Sequence, residues 1–367
     1  MLKTIFIILI GFHAIIHFLG VAKAFEISPI NQMTSDISKT GGLLWLGAAV
    51  LFFYAALTLG LNHDTWWVTG LAAVVLSQSL VVSTWADAKW GSIPNLLILL
   101  VALAAWSSWR FEQTYRRDAQ QALGGSPHTP ELLTEHDLEA LPVPLQNYIR
   151  LSGAVGQPRV GHLKIKFQGE MRGKGQDWFP FTSEQFDVVD QPARLFFMKG
   201  QFFGVTVPGY HAYRHGQAKM EIRFCGLIPV ARYSGAELYK TETVTLFNDL
   251  CLLAPGALTH PRFSWQAIDS LSCQGTLTAD GATATALLQF NASGELINFI
   301  APERMDVQAQ KNYRWSTPLQ NYRLFSGHRL TGYGDAVWHY PEGEFIYGRF
   351  YTREVIYNPD PELIQIK

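Results

Sequence analysis

Two histidines in the first apolar stretch have the spacing of a buried polar site. His13 and His17 are four residues apart, so on a helix they share one face. Paired imidazoles can bind haem or another metal, relay protons or contact a small molecule. They can equally pack by hydrogen bonding to polar neighbours such as Ser77 and Gln78. Because no other apolar span contains a histidine at depth, bis-histidine haem is disfavoured, and the other interpretations stay open.

Further polar residues follow in the stretch 77–95. Gln78 and Asn95 lie within apolar segments, and a polar side chain in a spanning helix usually faces other helices or a cavity. Asp87 and Lys89 lie between two apolar segments, and residues two apart on a helix do not face each other. We therefore expect this pair to mark a loop at the level of the lipid head groups.

A second set of candidate residues lies in the C-terminal half. Its last predicted strands contain three tryptophans, Trp265, Trp315 and Trp338. Together these side chains could line an apolar pocket, although each alone is typical of a packed core. Asp269 and Arg304 could pair across that pocket and orient a polar head group. Asp269 could instead cap the turn before Leu271.

No catalytic signature is present. The chain lacks a Gly-x-Ser-x-Gly elbow, a phosphate-binding loop and a His-Glu-x-x-His helix. The catalytic residues, if there are any, therefore stay unknown, and we predict no metal site and no cofactor. An active site assembled from distant strands would leave no local motif, so whether the protein is an enzyme stays open.

Composition excludes other classes. A formal net charge of -1 gives no basic face for nucleic acid. The three cysteines, Cys225, Cys251 and Cys273, are too few and too widely spaced for a disulfide framework or a zinc site. Free thiols of this kind are typical of a reducing compartment.

Four apolar segments near the N-terminus are long enough to cross a bilayer, which takes about 20 helical residues. They cover Thr4–Ala22, Gly41–Leu61, Trp66–Trp85 and Ile93–Trp109. Short connections predict an up-down bundle with tryptophans at the interfaces. The first segment, followed by Ala22-Lys23-Ala24, also resembles a cleavable secretory signal.

The orientation rests on a few basic residues. Arg110, Arg116 and Arg117 follow the fourth span, and Lys3 precedes the first. The positive-inside rule then favours cytoplasmic termini. We predict an integral protein of the bacterial inner membrane whose soluble domain is cytoplasmic.

The rest of the chain has the pattern of a soluble β-rich domain. We place a four-helix transmembrane domain at 1–110, a stem and linker at 111–130 and a β-rich domain at 131–367. From Val160 the apolar period changes to two, which is typical of half-buried strands. Asp280-Gly281 predicts a tight hairpin, and 235–253 predicts one helix. The expected fold is α+β, with a large curved antiparallel sheet or open half-barrel of ten or eleven strands and two or three helices.

Several short motifs resemble those of a bacterial membrane family of unknown function with this architecture. In the N-terminal half they are the histidine pair, Ser77-Gln78, the run 85–91 and Pro94-Asn95. In the soluble half they are Leu141-Pro-Val-Pro-Leu-Gln, Tyr148, Arg150, Gly226-Leu-Ile-Pro-Val, Trp265, Ile268-Asp269, Glu303-Arg304, Trp315, Tyr322-Arg323, Gly327, Trp338, Gly343-Glu-Phe-Ile-Tyr and Tyr357-Asn358. The β-rich half also resembles, more loosely, the half-barrels of bacterial lipoprotein carriers. The family resemblance implies an architecture and no reaction.

These observations predict a membrane-anchored binding protein. A curved sheet with a helix in its concavity often encloses an apolar space, and we expect a lipid-like or other apolar small molecule there. The expected partners are the bilayer and this ligand. Two alternatives stay open: a membrane enzyme, either a lipid hydrolase or a redox protein that uses the histidines, and a scaffold for an unidentified protein partner.

Overall fold

The computed structural model describes residues 2–30, 33–125 and 131–364. Its residues form two compact units. The helical unit contains Met1–Phe111 with Cys225–Ile228, and the β-rich unit contains Glu112–Phe224 with Pro229–Lys367. Residues 126–130 of the predicted linker lie outside the described residues.

The helical unit is built from long apolar helices. Four helical stretches of the described chain are long and apolar enough to cross a membrane, namely Leu2–Ala24, Lys39–Gly60, Trp66–Ser83 and Trp85–Gly124. The individual helices are α1 (Leu2–Ile16), α2 (Phe18–Ala24), α3 (Lys39–Gly60), α4 (Trp66–Ser83), α5 (Trp85–Ala88) and α6 (Ser92–Gly124).

Small residues let these helices approach closely, as in other membrane bundles. A Cβ on Gly20 would lie 2.4 Å from the ring of Trp45. Ala48 and Ala55 on α3 are fully buried. Close packing of this kind fixes the relative positions of the polar side chains that lie between the helices.

The described part of the β-rich unit has one 13-stranded sheet. Its neighbours pair antiparallel in the order β6-β5-β4-β3-β2-β1-β15-β14-β11-β10-β9-β8-β7, and β12 and β13 form a separate hairpin. The first strand pairs with the last, as in Leu163 opposite Tyr357, so two hairpin-connected halves meet at the centre. The strands are β1 (His162–Met171), β2 (Phe179–Val188), β3 (Ala193–Phe202), β4 (Val205–Arg214), β5 (Gln217–Phe224), β6 (Ile228–Ser234), β7 (Phe263–Asp269), β8 (Ser272–Ala279), β9 (Ala282–Phe290), β10 (Leu296–Asp306), β11 (Lys311–Gln320), β12 (Arg323–Phe325), β13 (His328–Leu330), β14 (Tyr333–Tyr340) and β15 (Gly343–Tyr357).

One buried helix lies in the concavity of this sheet. After the shorter helix α7 (Val143–Leu151), which precedes β1, helix α8 (Ala236–Leu253) connects β6 to β7, the two edge strands. It contacts β3 and β5 on one side and β8, β9 and β10 on the other. From Thr241 to Leu253 every residue of α8 is buried. The fold class, a membrane-type helical bundle followed by a large curved antiparallel half-barrel, is therefore confirmed.

The opposite face of the sheet is covered by the C-terminal end of α6. Tyr115 is fully buried and stacks on Phe197 of β3 at 5.3 Å between ring centroids. The Arg214 guanidinium donates to Asp118 at 2.7 Å. Because side chains alternate across a strand, Phe196 and Met198 of β3 point to the concave side. Strand β3 is thus buried on both faces, which explains its nearly continuous apolar sequence.

Three strand predictions were wrong in detail. The apolar pattern predicts one strand over Phe202–Val207, but this stretch contains the β3–β4 turn, where Phe203 and Gly204 both have positive φ, +49° and +82°. The pattern also predicts one strand over Tyr322–Leu330, which is instead the short β12–β13 hairpin. Strand β11 was missed because Lys311–Gln320 is polar and contains Pro318, a residue disfavoured in central strands.

Candidate functional site

A cavity lies between the concave face of the sheet and α8. Its volume is about 990 Å³, at the upper end of the range for small-molecule sites. Much of its wall is aromatic or sulfur-containing, and several of these side chains are only half-buried. The apolar lining from β1–β6 consists of Phe167, Met171, Phe179, Phe196, Met198, Phe202, Val207, Met220, Ile222, Phe224 and Val230.

Helix α8 gives this cavity a polar side. Thr241, Thr245 and Asn248 follow one another at spacings of four and three, and Glu242 and Asp249 are one and eight residues from Thr241. Residues three or four apart share a helix face, and all five line the cavity. A helix buried on every side thus presents a polar face to the cavity and an apolar face to the core.

Arg194 on β3 neutralises the carboxylates of this face. Its Nε donates to Asp249 at 2.7 Å and its Nη1 donates to Glu242 at 3.1 Å. A third donor, Nη2, bonds to the Gln185 carbonyl oxygen at 3.1 Å. All four residues are buried, and buried charges persist only when paired and hydrogen-bonded.

The carboxyl groups of this cluster have opposite pKa shifts. Burial raises the pKa of Glu242, but the hydrogen bond from His211 and the charge of Arg194 outweigh burial and lower the pKa to about 2. Burial, followed by the charge of Asp249, raises the pKa of Asp187 well above its usual range. Within the described part of the chain, Asp187 accepts hydrogen bonds from the Gln185 side-chain amide, at 2.8 and 2.9 Å. At neutral pH we therefore expect Glu242 ionised and Asp187 protonated.

Arg304 on β10 reaches the same cavity from the other half of the sheet. Its guanidinium lies over the rings of Trp315 at 4.6 Å and Trp338 at 5.1 Å. Its Nη2 donates to Thr245 on α8 at 3.0 Å. All of these residues line the cavity, so the structure brings together Arg304, Trp315 and Trp338 among the residues selected from the sequence.

Trp265 and Asp269 lie elsewhere, on the edge strand β7. Trp265 donates its indole N–H to the carbonyl oxygen of Leu258 at 3.0 Å and stacks on Phe263. Asp269 is exposed and accepts from the backbone N–H of Leu271 at 2.8 Å. Neither lines the cavity, and the Asp269 carboxylate acts in the turn before Leu271 rather than pairing with Arg304.

The two histidines belong to a separate polar cluster in the helical unit. His17 Nδ1 donates to the His13 carbonyl oxygen at 2.8 Å, which leaves Nε2 to accept from Ser77 at 2.8 Å. Asn95 donates to Ser77 and Gln78, both at 3.0 Å, and its oxygen accepts from His13 Nε2 at 2.9 Å. This arrangement is the hydrogen-bonded packing alternative of the sequence analysis.

Asp87 and Lys89 lie apart from this cluster. Asp87 accepts from the Thr34 hydroxyl and the Ser35 backbone N–H, both at 2.8 Å. The Lys89 ammonium lies 5.9 Å from the ring centroid of Trp90. Asp87, which lies in α5, is therefore hydrogen-bonded to the connection that precedes α3.

Possible metal ligands and buried cysteines are further candidates for chemistry in the described chain. No group of three or more His, Cys, Asp or Glu there has the arrangement of a metal site. Cys251 and Cys273 are buried and unpaired by disulfides. Burial raises the pKa of the Cys273 thiol to about 12, so this thiol stays protonated and unreactive.

Sequence reasoning missed the ionic cluster around Arg194. The available signal was the pair of carboxylates in α8: Glu242 and Asp249 are seven residues apart and therefore share one face of the predicted helix. Their partner Arg194 stands inside an apolar strand. Pairing them required knowledge that α8 crosses β3.

The comparison with protein families decides the classification. Residues 131–350 match the model described as "Family of unknown function (DUF6544)". The chain belongs to this family. The match covers most of the β-rich unit, so the resemblance to a family of unknown function is confirmed. A search of curated proteins found no match.

Three solved structures are similar to this DUF6544 member at 10% sequence identity or less. A putative outer membrane lipoprotein-sorting protein domain from Vibrio parahaemolyticus has 10% identity and a TM-score of 0.35, over 54% of this chain and 85% of that one. A LolA superfamily protein from Nitrosomonas europaea has 7% identity and a TM-score of 0.35, over 61% and 97%. A DUF1329 family protein from Desulfovibrio piger has 8% identity and a TM-score of 0.35, over 59% and 93%.

A double-mutant cycle tests the polar cluster. We expect the effects of His13→Ala and Asn95→Ala on the free energy of unfolding to be non-additive by about 0.5–1.7 kcal/mol, because interhelical hydrogen bonds in membranes are of this size. The measurement is unfolding of the full chain in mixed detergent micelles. The matched cycle of His13→Ala with Leu96→Ala, a neighbour that is exposed, should be additive. Additivity of the first cycle would contradict a direct interaction.

Two isosteric variants test the protonation state of Asp187 in the cluster around Arg194. Below about pH 3.8 Asp187 is protonated in the folded and unfolded chain. As pH rises, the unfolded chain loses this proton while the folded chain keeps it, so stability falls. Asp187→Asn removes this loss, so its free energy of unfolding in urea should rise relative to that of the parent chain as pH increases from 4 to 7. Asp249→Asn should instead lower the free energy of unfolding by about 3–5 kcal/mol at pH 7, because it breaks a buried ion pair. Equal effects of both variants would refute the assignment.

Proposed function

We propose that the β-rich unit binds one lipid-like or other apolar molecule between the concave face of the sheet and α8, and that the apolar helices anchor it in a membrane. The observation that carries the proposal is the cavity itself. A protein interior normally excludes voids larger than a water molecule, so a space of about 990 Å³ with an apolar wall is a binding site rather than a packing defect.

The distribution of the lining supports an amphiphilic ligand. The apolar side chains come from both halves of the sheet, whereas one cluster of charged and hydroxyl groups lies on α8 and on the strand residues facing it. The remaining charged residues of the wall, Arg172, Lys174 and Asp306, lie apart from this cluster. Such segregation suits a molecule with a long apolar part and one polar end. Its apolar part would cover half-buried side chains such as Phe167, Phe179 and Met220, which stabilises the complex by removing apolar surface from water.

A cavity-filling variant tests this binding. Val207 lines the cavity and is buried, whereas the adjacent Thr206 points to the other face and is exposed. We expect Val207→Trp to reduce the apolar molecules that copurify with the full chain, measured by native mass spectrometry and lipid extraction. The matched variant Thr206→Trp should leave them unchanged.

The outcomes of that experiment are distinct. A stoichiometric adduct in the parent chain and in Thr206→Trp, reduced in Val207→Trp, supports the proposal. If the parent chain shows no adduct and takes up none from added lipid extract, the binding function is refuted, and a protein-binding scaffold becomes the better hypothesis.

We further propose that the β-rich unit faces the cytoplasm of a bacterial cell. Arg110, Arg116 and Arg117 lie immediately beyond the fourth apolar segment, and basic residues at such positions are retained on the cytoplasmic side. Four helices long and apolar enough to span the membrane then place both ends of the helical region on that side.

Labelling of an engineered cysteine tests the orientation. Ser293 is exposed in the β9–β10 turn, and Ser293→Cys changes one atom. We expect a membrane-impermeant maleimide to label this variant in inverted vesicles and not in intact cells, with the parent chain as the background control. Labelling in intact cells would place the β-rich unit on the opposite side.

A further inference from the structure

Arg304 lines the cavity, and among the described residues it forms no salt bridge with a carboxylate, although its charge contributes to the lowered pKa of Glu242. Its guanidinium contacts the rings of Trp315 and Trp338 and the hydroxyl of Thr245. Its Nε is buried with no hydrogen-bond partner among the described residues. Guanidinium groups carry five N–H donors, and buried donors in proteins are almost always satisfied.

The nearby carboxylates are already engaged by other groups. Glu242 is held by Arg194 at 3.1 Å and faces His211 at 3.5 Å. Asp249 accepts from Arg194 and Gln185, both at 2.7 Å. Arg304 acts on Glu242 through its charge but, within the described chain, forms no hydrogen bond with these carboxylates, so its remaining Nη donors are available to a molecule in the cavity.

The two tryptophans give Arg304 a fixed orientation. Ring centroids at 4.6 Å and 5.1 Å from its central carbon hold the guanidinium by cation–π contact, and the bond to Thr245 fixes its rotation. A guanidinium fixed in this way presents a planar fork of donors that matches carboxylate or phosphate oxygens. Apolar rings around it exclude water, which strengthens a charge-assisted hydrogen bond.

We propose that the ligand of this cavity is an amphiphile with an anionic carboxylate or phosphate head group, which Arg304 binds between Trp315 and Trp338. This inference rests on the proposed function, because it names the polar end of the molecule whose apolar part lies against β1–β6. Arg304 is then the residue that selects acidic amphiphiles over neutral ones of the same length.

The test compares three probes of equal chain length on the full chain in dodecyl maltoside. They are palmitic acid, hexadecyl phosphate and hexadecan-1-ol. Binding of the two acids is measured by scintillation proximity, directly with tritiated palmitic acid and by its displacement with hexadecyl phosphate. Binding of the alcohol is measured directly with tritiated hexadecan-1-ol. We expect the two acids to bind at least about tenfold more tightly than the alcohol, as for a charge-assisted bond. The better of the two acids identifies the head group as carboxylate or phosphate.

Substitutions then separate charge from packing. Arg304→Gln should weaken the acids about tenfold or more and leave the alcohol unchanged, whereas Arg304→Lys should retain part of the preference. The matched control is Arg353→Gln, which should leave the binding of all three probes unchanged. Arg353 also lies over an aromatic ring, that of Tyr351, but it is outside the cavity lining and its Nε donates to the Gln168 side chain at 3.0 Å. Unchanged binding of hexadecan-1-ol to Arg304→Gln shows that the variant is folded.

The failure of this inference is distinguishable from failure of the proposed function. Equal binding of acids and alcohol, unaffected by Arg304→Gln, overturns the anionic head group while cavity binding stands. An equal loss of acid binding in Arg353→Gln and Arg304→Gln overturns the assignment to Arg304. Absence of binding for all three probes refutes the cavity function and this inference with it.

Discussion

Helix α8 imposes the curvature on which the β-rich unit depends. It contacts β5 and β8, which are ten strand positions apart in the sheet. In a flat sheet that separation would be about 48 Å, whereas an 18-residue helix extends about 27 Å. The sheet must therefore bend until both halves reach the helix, and the bend creates a concave face wider than one helix can fill. The unfilled part is the cavity.

The same helix forces charge into the interior. Since α8 is buried on all sides, the half of its surface that faces the cavity cannot be made polar without desolvating its side chains. The chain compensates with Arg194, which satisfies Glu242 and Asp249 at once. Buried ion pairs of this kind contribute little net stability against an apolar replacement, but loss of one partner is costly. Because the ion pairs contribute little net stability, the polar wall of this otherwise apolar space is better explained by a polar group on the ligand.

Local sequence signals predicted the elements better than their partners. Asp280-Gly281 marked a hairpin because both residues tolerate positive φ, whereas the equivalent turn at Phe203-Gly204 was read as strand because phenylalanine favours extended backbone. Residues on one strand or helix, such as Trp315 or His13 with His17, could be selected from their type. Their contacts could not, because the approach of Arg304 to α8 depends on curvature, which leaves no mark in the local pattern.

Pairing of the first strand with the last has a consequence for the order in which the chain is made. During synthesis β1 emerges almost two hundred residues before its partner β15, so one edge of the first half stays open until β15 has been made. Pairings between strands so distant in sequence form slowly, and open edges invite intermolecular pairing. If the apolar helices enter a membrane as they emerge, as proposed above, they tether the nascent chain and keep these edges dilute. Membrane insertion would then protect the sheet until its central seam closes.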